Sequence, residues 1–324
     1  MINSIRRGIV GIALLLPTLG WSAEPAWPSK PITIIAPGDA GGVLDIRARW
    51  LAERLTPLLG QSVIVDNRPG SGGLIGTQAG ARSAADGHTW TLIHLGTMAI
   101  NPHLYNRLGY DPLTDFIPIT QISGGPQVLV VHPSVKANTL AELTSLVRAQ
   151  PGQLNFGSGG IGTPGHLAGE LFKRSAALDV VHVPYKGGGQ AVSALVGGQI
   201  TFMSENPSVL VQHIASGRLR ALAVTGPTRL KSLPSVPTTA EAGLPELELI
   251  AWTGVAVPAG TPQAVVDRIH REIRDLMATA KANEWLELIG SYPRTDSPAS
   301  FAGVIRADFA KWGKVIRDGG IRLE

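Results

Sequence analysis

Five loops carry the residue types that could hold or attack a small molecule. The first is Pro37-Gly38-Asp39-Ala40-Gly41-Gly42-Val43-Leu44-Asp45. Its glycines let backbone come close to a ligand, and the free N–H groups of a helix start favour an anion. Asp45 falls in the first turn of that helix, where its charge suits the helix dipole. The second is Gly157-Ser158-Gly159-Gly160-Ile161-Gly162-Thr163-Pro164-Gly165-His166. It contains the GxGxxG spacing of a dinucleotide loop, but Asp179 stands at the start of the next apolar run, the wrong end to reach a ribose. An anion cradle built from Ser158, Gly159, Thr163 and backbone N–H groups fits better. The third loop places a cation, Lys186, beside Gly187, Gly188 and Gly189. Glu205, in Ser204-Glu205-Asn206-Pro207, and Thr97, after Gly96, complete the candidates.

Catalytic patterns are weak by comparison. Ser158 and His166 could form a nucleophile and base, which makes an exported serine hydrolase the rival reading. No orienting acid is evident, and Phe156 breaks the nucleophile-elbow pattern. The eight histidines show no metal-ligand spacing, and there is no cysteine, so neither a metal nor a cofactor is expected. The expectation is therefore a binding protein and not an enzyme.

These loops share a context, because each follows an apolar, β-branched run and opens a helical pattern. Ile32 to Ala36 precedes the first, and Leu44, Ala48, Leu51, Ala52 and Leu55 continue it at helical spacing, with Pro57 and Gly60 as the expected stop. Ser62 to Asp66 and Trp90 to His94 repeat the strand pattern. A second set of strand runs follows at 154–156, 180–183, 200–204 and 221–225. Helix-start devices recur at Thr139-Leu-Ala-Glu142, Thr261-Pro262 and Ser297-Pro298. This alternation predicts parallel sheets with helices on their faces. Two long β-rich runs, Ile117 to Val131 and Leu249 to Val257, lie between the sets. They predict two α/β lobes joined by two crossing segments, lobe one over 24–122 plus 253–324 and lobe two over 123–252. A cleft between such lobes is a hinge-closing binding site.

The ends and the bulk composition constrain the setting. Residues 1–23 read as a cleavable signal peptide: Arg6 and Arg7, an apolar run from Gly8 to Gly20, then Trp21-Ser22-Ala23, with cleavage after Ser22 or Ala23. The expected location is the periplasm. The net charge of +4 includes those two leader arginines, and no basic run appears, which excludes a nucleic-acid partner. The chain is expected to act as a monomer.

Along the whole mature chain the sequence resembles the Bug family, the TctC-type periplasmic receptors of tripartite tricarboxylate transporters. The matching segments include Gly-Gly-x-x-Asp at 41–45, Asn67-Arg68-Pro69-Gly70-Ser71-Gly72-Gly73, His166-Leu167-Ala168-Gly169-Glu170-Leu171-Phe172, His182-Val-Pro-Tyr-Lys-Gly187 and Pro258-Ala-Gly-Thr-Pro262. The resemblance implies a type II periplasmic-binding-protein fold, with two Rossmann-like lobes. It implies capture of a small organic acid (a dicarboxylate, amino acid or aromatic carboxylate) or a related amide. The grip would come from loops 37–45 and 157–166, with 184–189 alongside. The implied partner is a tripartite-type permease or a sensor kinase. Gly38 stands where the family usually has an aromatic residue, Asp39 where it has a neutral one, and Glu205 where it commonly has Asp. Pointing inward, Asp39 would accept an ammonium or amide; pointing outward, it would leave a simple acid undisturbed.

Overall fold

The computed structural model describes residues 27–320, so the leader expected over 1–23 lies outside the described residues. The chain forms two five-stranded sheets, each flanked by helices. The first contains β1 (Ile32–Ala36), β2 (Val63–Asn67), β3 (Thr89–His94), β4 (Phe116–Pro126) and β10 (Ile250–Pro258). The second contains β5 (Val128–Val131), β6 (Asn155–Ser158), β7 (Val181–Pro184), β8 (Phe202–Glu205) and β9 (Arg220–Val224). Their strand orders are β2-β1-β3-β10-β4 and β7-β6-β8-β5-β9. The two orders are equivalent: three parallel strands, then an antiparallel one inserted before the last. In both sheets the inserted strand is the one at which the chain enters from the other lobe. This is the two-lobed α/β fold with two crossovers that the alternating pattern predicts.

The crossings are short. Only Gln127 separates β4 from β5, and Leu249 leads directly into β10. Thr225 ties the two together. Its backbone N–H donates to the Gln127 carbonyl at 2.9 Å, its Oγ1 accepts the Gln127 N–H at 2.8 Å, and the same hydroxyl donates to the Leu249 carbonyl at 2.7 Å. The run from Ile117 to Val131, continuous in sequence, thus breaks at one residue into strands of different sheets.

Helix ends follow the local chemistry. Gly60, at φ 67°, caps α1 (Val43–Leu59), its N–H bonding the Thr56 carbonyl. Pro57 lies inside the last turn and does not end the helix as expected; Gly60 alone does, because only it supplies the left-handed conformation cheaply. Thr139 caps α4 (Leu140–Ala149), accepting the Glu142 N–H at 3.1 Å. Ser297 caps α10 (Pro298–Gly319) as expected. The Thr261-Pro262 device is displaced by one residue: Pro262 is the cap of α8 (Gln263–Met277), and the Thr261 hydroxyl donates to the Pro258 carbonyl. The remaining helices are α2 (Leu74–Ala81), α3 (Asn101–Leu104), α5 (Pro164–Ser175), α6 (Gly188–Val196), α7 (Val211–Ala215) and α9 (Ala280–Leu288). Among the described residues no helix is long and apolar enough to cross a membrane.

Each sheet has apolar packing on both faces, which fixes strand positions at the cleft. In the first lobe, Trp50, Leu51 and Leu55 of α1 pack with Ile269 and Ile273 of α8 on one face, while Phe301, Ile305 and Trp312 of α10 pack on the other. In the second, Phe156, Phe172 and Phe202 cluster with α4 and α5 on one face, while Val192 and Leu195 of α6 cover the other.

Candidate functional site

A cavity of about 90 Å³ lies between the lobes. At roughly 10–15 Å³ for each water-sized group, it holds about six to nine such groups, the scale of a small metabolite. Its walls come from the loops after β1, β2, β6, β7 and β8, from His94 at the end of β3, and from the crossing strands β4 and β10. These are the carboxyl ends of the parallel strands, where open α/β sheets bind ligands.

Eight predicted residues line this cavity: Gly38, Asp39, Gly159, Thr163, Lys186, Gly187, Gly188 and Glu205. Thr163 caps α5, accepting the His166 N–H at 3.3 Å while its hydroxyl donates to the Gly160 carbonyl at 2.7 Å. Lys186 is exposed at the mouth. Ala40 and Gly41 line a neighbouring groove with Asp39, and Gly42 caps α1. Asp45 accepts the Gly41 N–H at 2.9 Å and pairs with Arg49. Burial pushes its carboxyl upward, but the Arg49 hydrogen bond and the Gly41 N–H outweigh this and hold it below the usual range. Thr97 is buried in a π-helical turn, sharing hydrogen bonds with His94 and receiving the Tyr110 hydroxyl.

Ser158 and His166 lie behind the cavity wall, and they do not form the nucleophile–base pair expected of a hydrolase. Ser158 is 0 % exposed, and its hydroxyl meets His182 Nε2 at 2.7 Å and donates to the Gly160 carbonyl at 3.1 Å. The register explains the exchange: β6 and β7 run parallel with Phe156 beside His182, so the histidine distant in sequence is the neighbour. His166 Nδ1 accepts the Gly162 N–H at 3.2 Å, and its ring lies 4.4 Å from that of His182. Burial holds His166 down to about 3 and His182 to about 4, so both are neutral.

Asp39 points inward and is already occupied. Its carboxylate crosses from the first lobe to the start of α6 in the second, where Oδ2 accepts the Gln190 N–H at 3.1 Å. A side chain at Gly187 would overlap that carboxylate, and one at Gly188 would press against Glu205. The glycines at 187–189 therefore admit two protein carboxylates to one helix N-terminus. Burial raises the Asp39 carboxyl above its ordinary value, the backbone N–H groups of α6 oppose this, and Asp45 adds to it. Glu205 is pushed up to about 7 by burial, against the hydrogen bond from Asn206 N–H; Asp39 raises it further and Arg47 lowers it.

Sequence reasoning missed the most charged feature of the floor. Arg47 is 2 % exposed and lines the cavity. Its guanidinium donates to Ser123 Oγ at 2.9 Å, the Val43 carbonyl at 3.0 Å, Ser291 Oγ at 3.0 Å and Asn206 Oδ1 at 3.4 Å. Burial lowers it to about 10, so it stays charged at neutral pH. A signal existed, since Arg47 falls on the apolar face of α1 with Leu44 and Leu51. Asn206, within the fourth candidate loop, also lines the cavity, as do Gln127, His94 and Trp252, which were not expected to.

The model of the TctC family, described as tripartite tricarboxylate transporter family receptor, matches residues 47–321. The chain is 38 % identical over 314 residues to a UPF0065 protein from the tcbD-tcbE intergenic region of Pseudomonas sp. strain P51, covering 96 % of this chain and 93 % of that one. It is 35 % identical over 325 residues to protein BugT of Bordetella pertussis, covering 99 % and 100 %. Among solved structures it resembles Rpa4515 of R. palustris with adipate (TM-score 0.89, 34 % identity, 92 % of this chain and 100 % of that one). It also resembles MatC of Rhodopseudomonas palustris with bound malate (TM-score 0.85, 29 % identity, 90 % and 100 %).

Proposed function

This chain belongs to the TctC family of tripartite tricarboxylate transporter receptors, and we propose that it captures a small carboxylated solute in the periplasm by closing its lobes around it. The observation that carries this reading is the cavity between the lobes, floored by the buried guanidinium of Arg47 and faced by helix starts from both sides. The adipate and malate in the two relatives' structures support a carboxylate as the solute. The eight cavity-lining residues expected from sequence, with Arg47 and Gln127, make the ligand contacts. Ala40, Gly41, Gly42, Asp45, Thr97, Ser158 and His166 hold the loops that present them.

Residues 1–23 serve as the export signal. Lobe one (24–122 plus 253–324) and lobe two (123–252) swing about the two crossings. The bound form is presented to a tripartite-type permease or a sensor kinase, with the receptor acting as a monomer and without turning over its solute. Ser158 is 0 % exposed and does not line the cavity, which supports binding without catalysis.

A thermal-shift screen of mature protein against small carboxylates, amino acids and amides tests the reading. A true ligand at 100 times its Kd adds about 2.7 kcal/mol to stability. Absence of stabilisation by every carboxylate would count against it.

A further inference from the structure

Charge is distributed unevenly around the cavity. Arg47 is a buried cation whose hydrogen-bond partners are all neutral: Ser123, Val43, Ser291, Asn206 and, at 3.5 Å, Ser208. Glu205 acts on it only through space. A buried charge with neutral partners is costly unless a counter-ion arrives. Gln127, one residue before the Val128–Glu205 strand pair, is 1 % exposed and lines the cavity, and its side-chain oxygen is buried with no hydrogen-bond partner. An orphaned acceptor on a cavity-lining residue marks a place where a donor on the ligand completes the bond.

The start of α6 has the opposite character. A helix N-terminus facing a cleft would ordinarily take an anionic ligand group. Here Asp39 already accepts the Gln190 N–H, and Glu205 lies against Gly188, with a carboxylate oxygen 2.8 Å from where a Cβ would stand. A second ligand carboxylate directed there would meet two protein carboxylates instead of free N–H groups.

We propose that the solute carries a single carboxylate, paired with Arg47, and a hydrogen-bond donor at its other end, an amide or ammonium that donates to the orphaned Gln127 oxygen and faces Asp39 and Glu205. The inference rests on the reading of the cavity as the solute site, and it narrows the class from organic acids in general to acids with a donor tail. Gln127 is also the residue between β4 and β5, so a bond from ligand to its side chain acts directly on the crossing.

The test is calorimetry on the mature full chain at pH 8, with two matched sets: succinate, succinamate and 4-aminobutanoate; and adipate, adipamate and 6-aminohexanoate. In at least one set the monoamide or amino acid should bind at least tenfold more tightly than the dicarboxylate. Asp39→Asn should narrow that gap by strengthening the dicarboxylate at least tenfold. Arg47→Gln should weaken the preferred compound at least tenfold, and Arg47→Lys should restore part of the loss. The wild-type comparison needs no variant, so a misfolded Arg47 variant leaves the proposal testable. Tighter binding of the dicarboxylate in both sets, unchanged by Asp39→Asn, would overturn it while leaving the receptor reading intact. Binding of no compound in either set would overturn both.

Discussion

The carboxylate of Asp39 in the first lobe accepts the backbone N–H of Gln190, in the first turn of α6 in the second lobe, at 3.1 Å. The contact caps a helix across the cleft, so it exists only when the lobes are closed. Removing a capping side chain costs about 0.5–2 kcal/mol. Asp39→Ala should therefore shift the ligand-free protein toward an open form, read as a larger radius of gyration in small-angle scattering. Asp39→Asn keeps an acceptor and should stay compact. Equal radii for wild type and Asp39→Ala would show that the clasp does not hold the lobes.

Glu205 gives the protein a pH signature. Its folded carboxyl is raised to about 7 from 4.5, so between those values the folded state binds more protons than the unfolded one. Stability then falls as pH rises through that window. At about 1.4 kcal/mol per pH unit, the ceiling is about 3 kcal/mol. Glu205→Gln should remove this loss, so the variant should gain in melting temperature relative to wild type as pH goes from 5 to 8. A constant difference across that range would assign the raised carboxyl elsewhere.

The buried histidines act in the other direction. His94 is held to about 4 and His182 to about 4, both by burial. Their neutral forms contribute stability that is fully present above the ordinary value of 6.5 and is lost as pH falls toward 4. Superimposed on the Glu205 effect, this predicts that Glu205→Gln, with the opposing contribution gone, melts at progressively lower temperature from pH 6.5 to 4.5. A flat profile would contradict the neutral assignment.

Gly72 tests closure directly. It has φ 61°, and a Cβ there would overlap the carbonyl oxygen of Ile161 in the opposite lobe. Gly72→Ala costs about 1 kcal/mol for the left-handed backbone alone, and the overlap adds to that only in the closed form. Solute affinity should drop at least tenfold while the fold persists, as judged by calorimetry and circular dichroism. Unchanged affinity would mean that the two loops separate in the bound state.

Ser158→Ala separates structure from catalysis. Loss of the bond to His182 should lower stability by about 1–2 kcal/mol, with solute affinity unchanged within twofold and no hydrolytic activity to lose. Measurable turnover in wild type that disappears in this variant would revive the hydrolase reading.

The sequence displayed the scaffold better than the chemistry of the cleft. Gly-rich loops between apolar runs announce strand–turn–helix units, so Gly38, Thr163 and Gly187 were legible as residues at the carboxyl ends of strands, where they line the cavity. Arg47 escaped because helical periodicity is counted in apolar residues, and a cation on the apolar face breaks the count and drops out of it. Gln127 and Trp252 escaped because the crossing strands read as connectors, although both face the cavity. His182 lost to His166 as the partner of Ser158 because closeness in sequence is a poor guide where parallel pairing sets the neighbours.

The position of β10 between β3 and β4 has a consequence for how the protein is made. A chain threaded through a membrane with its amino end leading delivers β1, β2, β3 and β4 long before β10. The first sheet lacks the strand that joins β3 to β4 until residue 258 has crossed, whereas every strand of the second sheet has arrived by residue 224. The second lobe can therefore assemble while the first waits with two unpaired edges exposed. A truncation after β9 but before β10 would therefore leave one lobe with its full sheet carrying an unfinished, edge-exposed half-sheet.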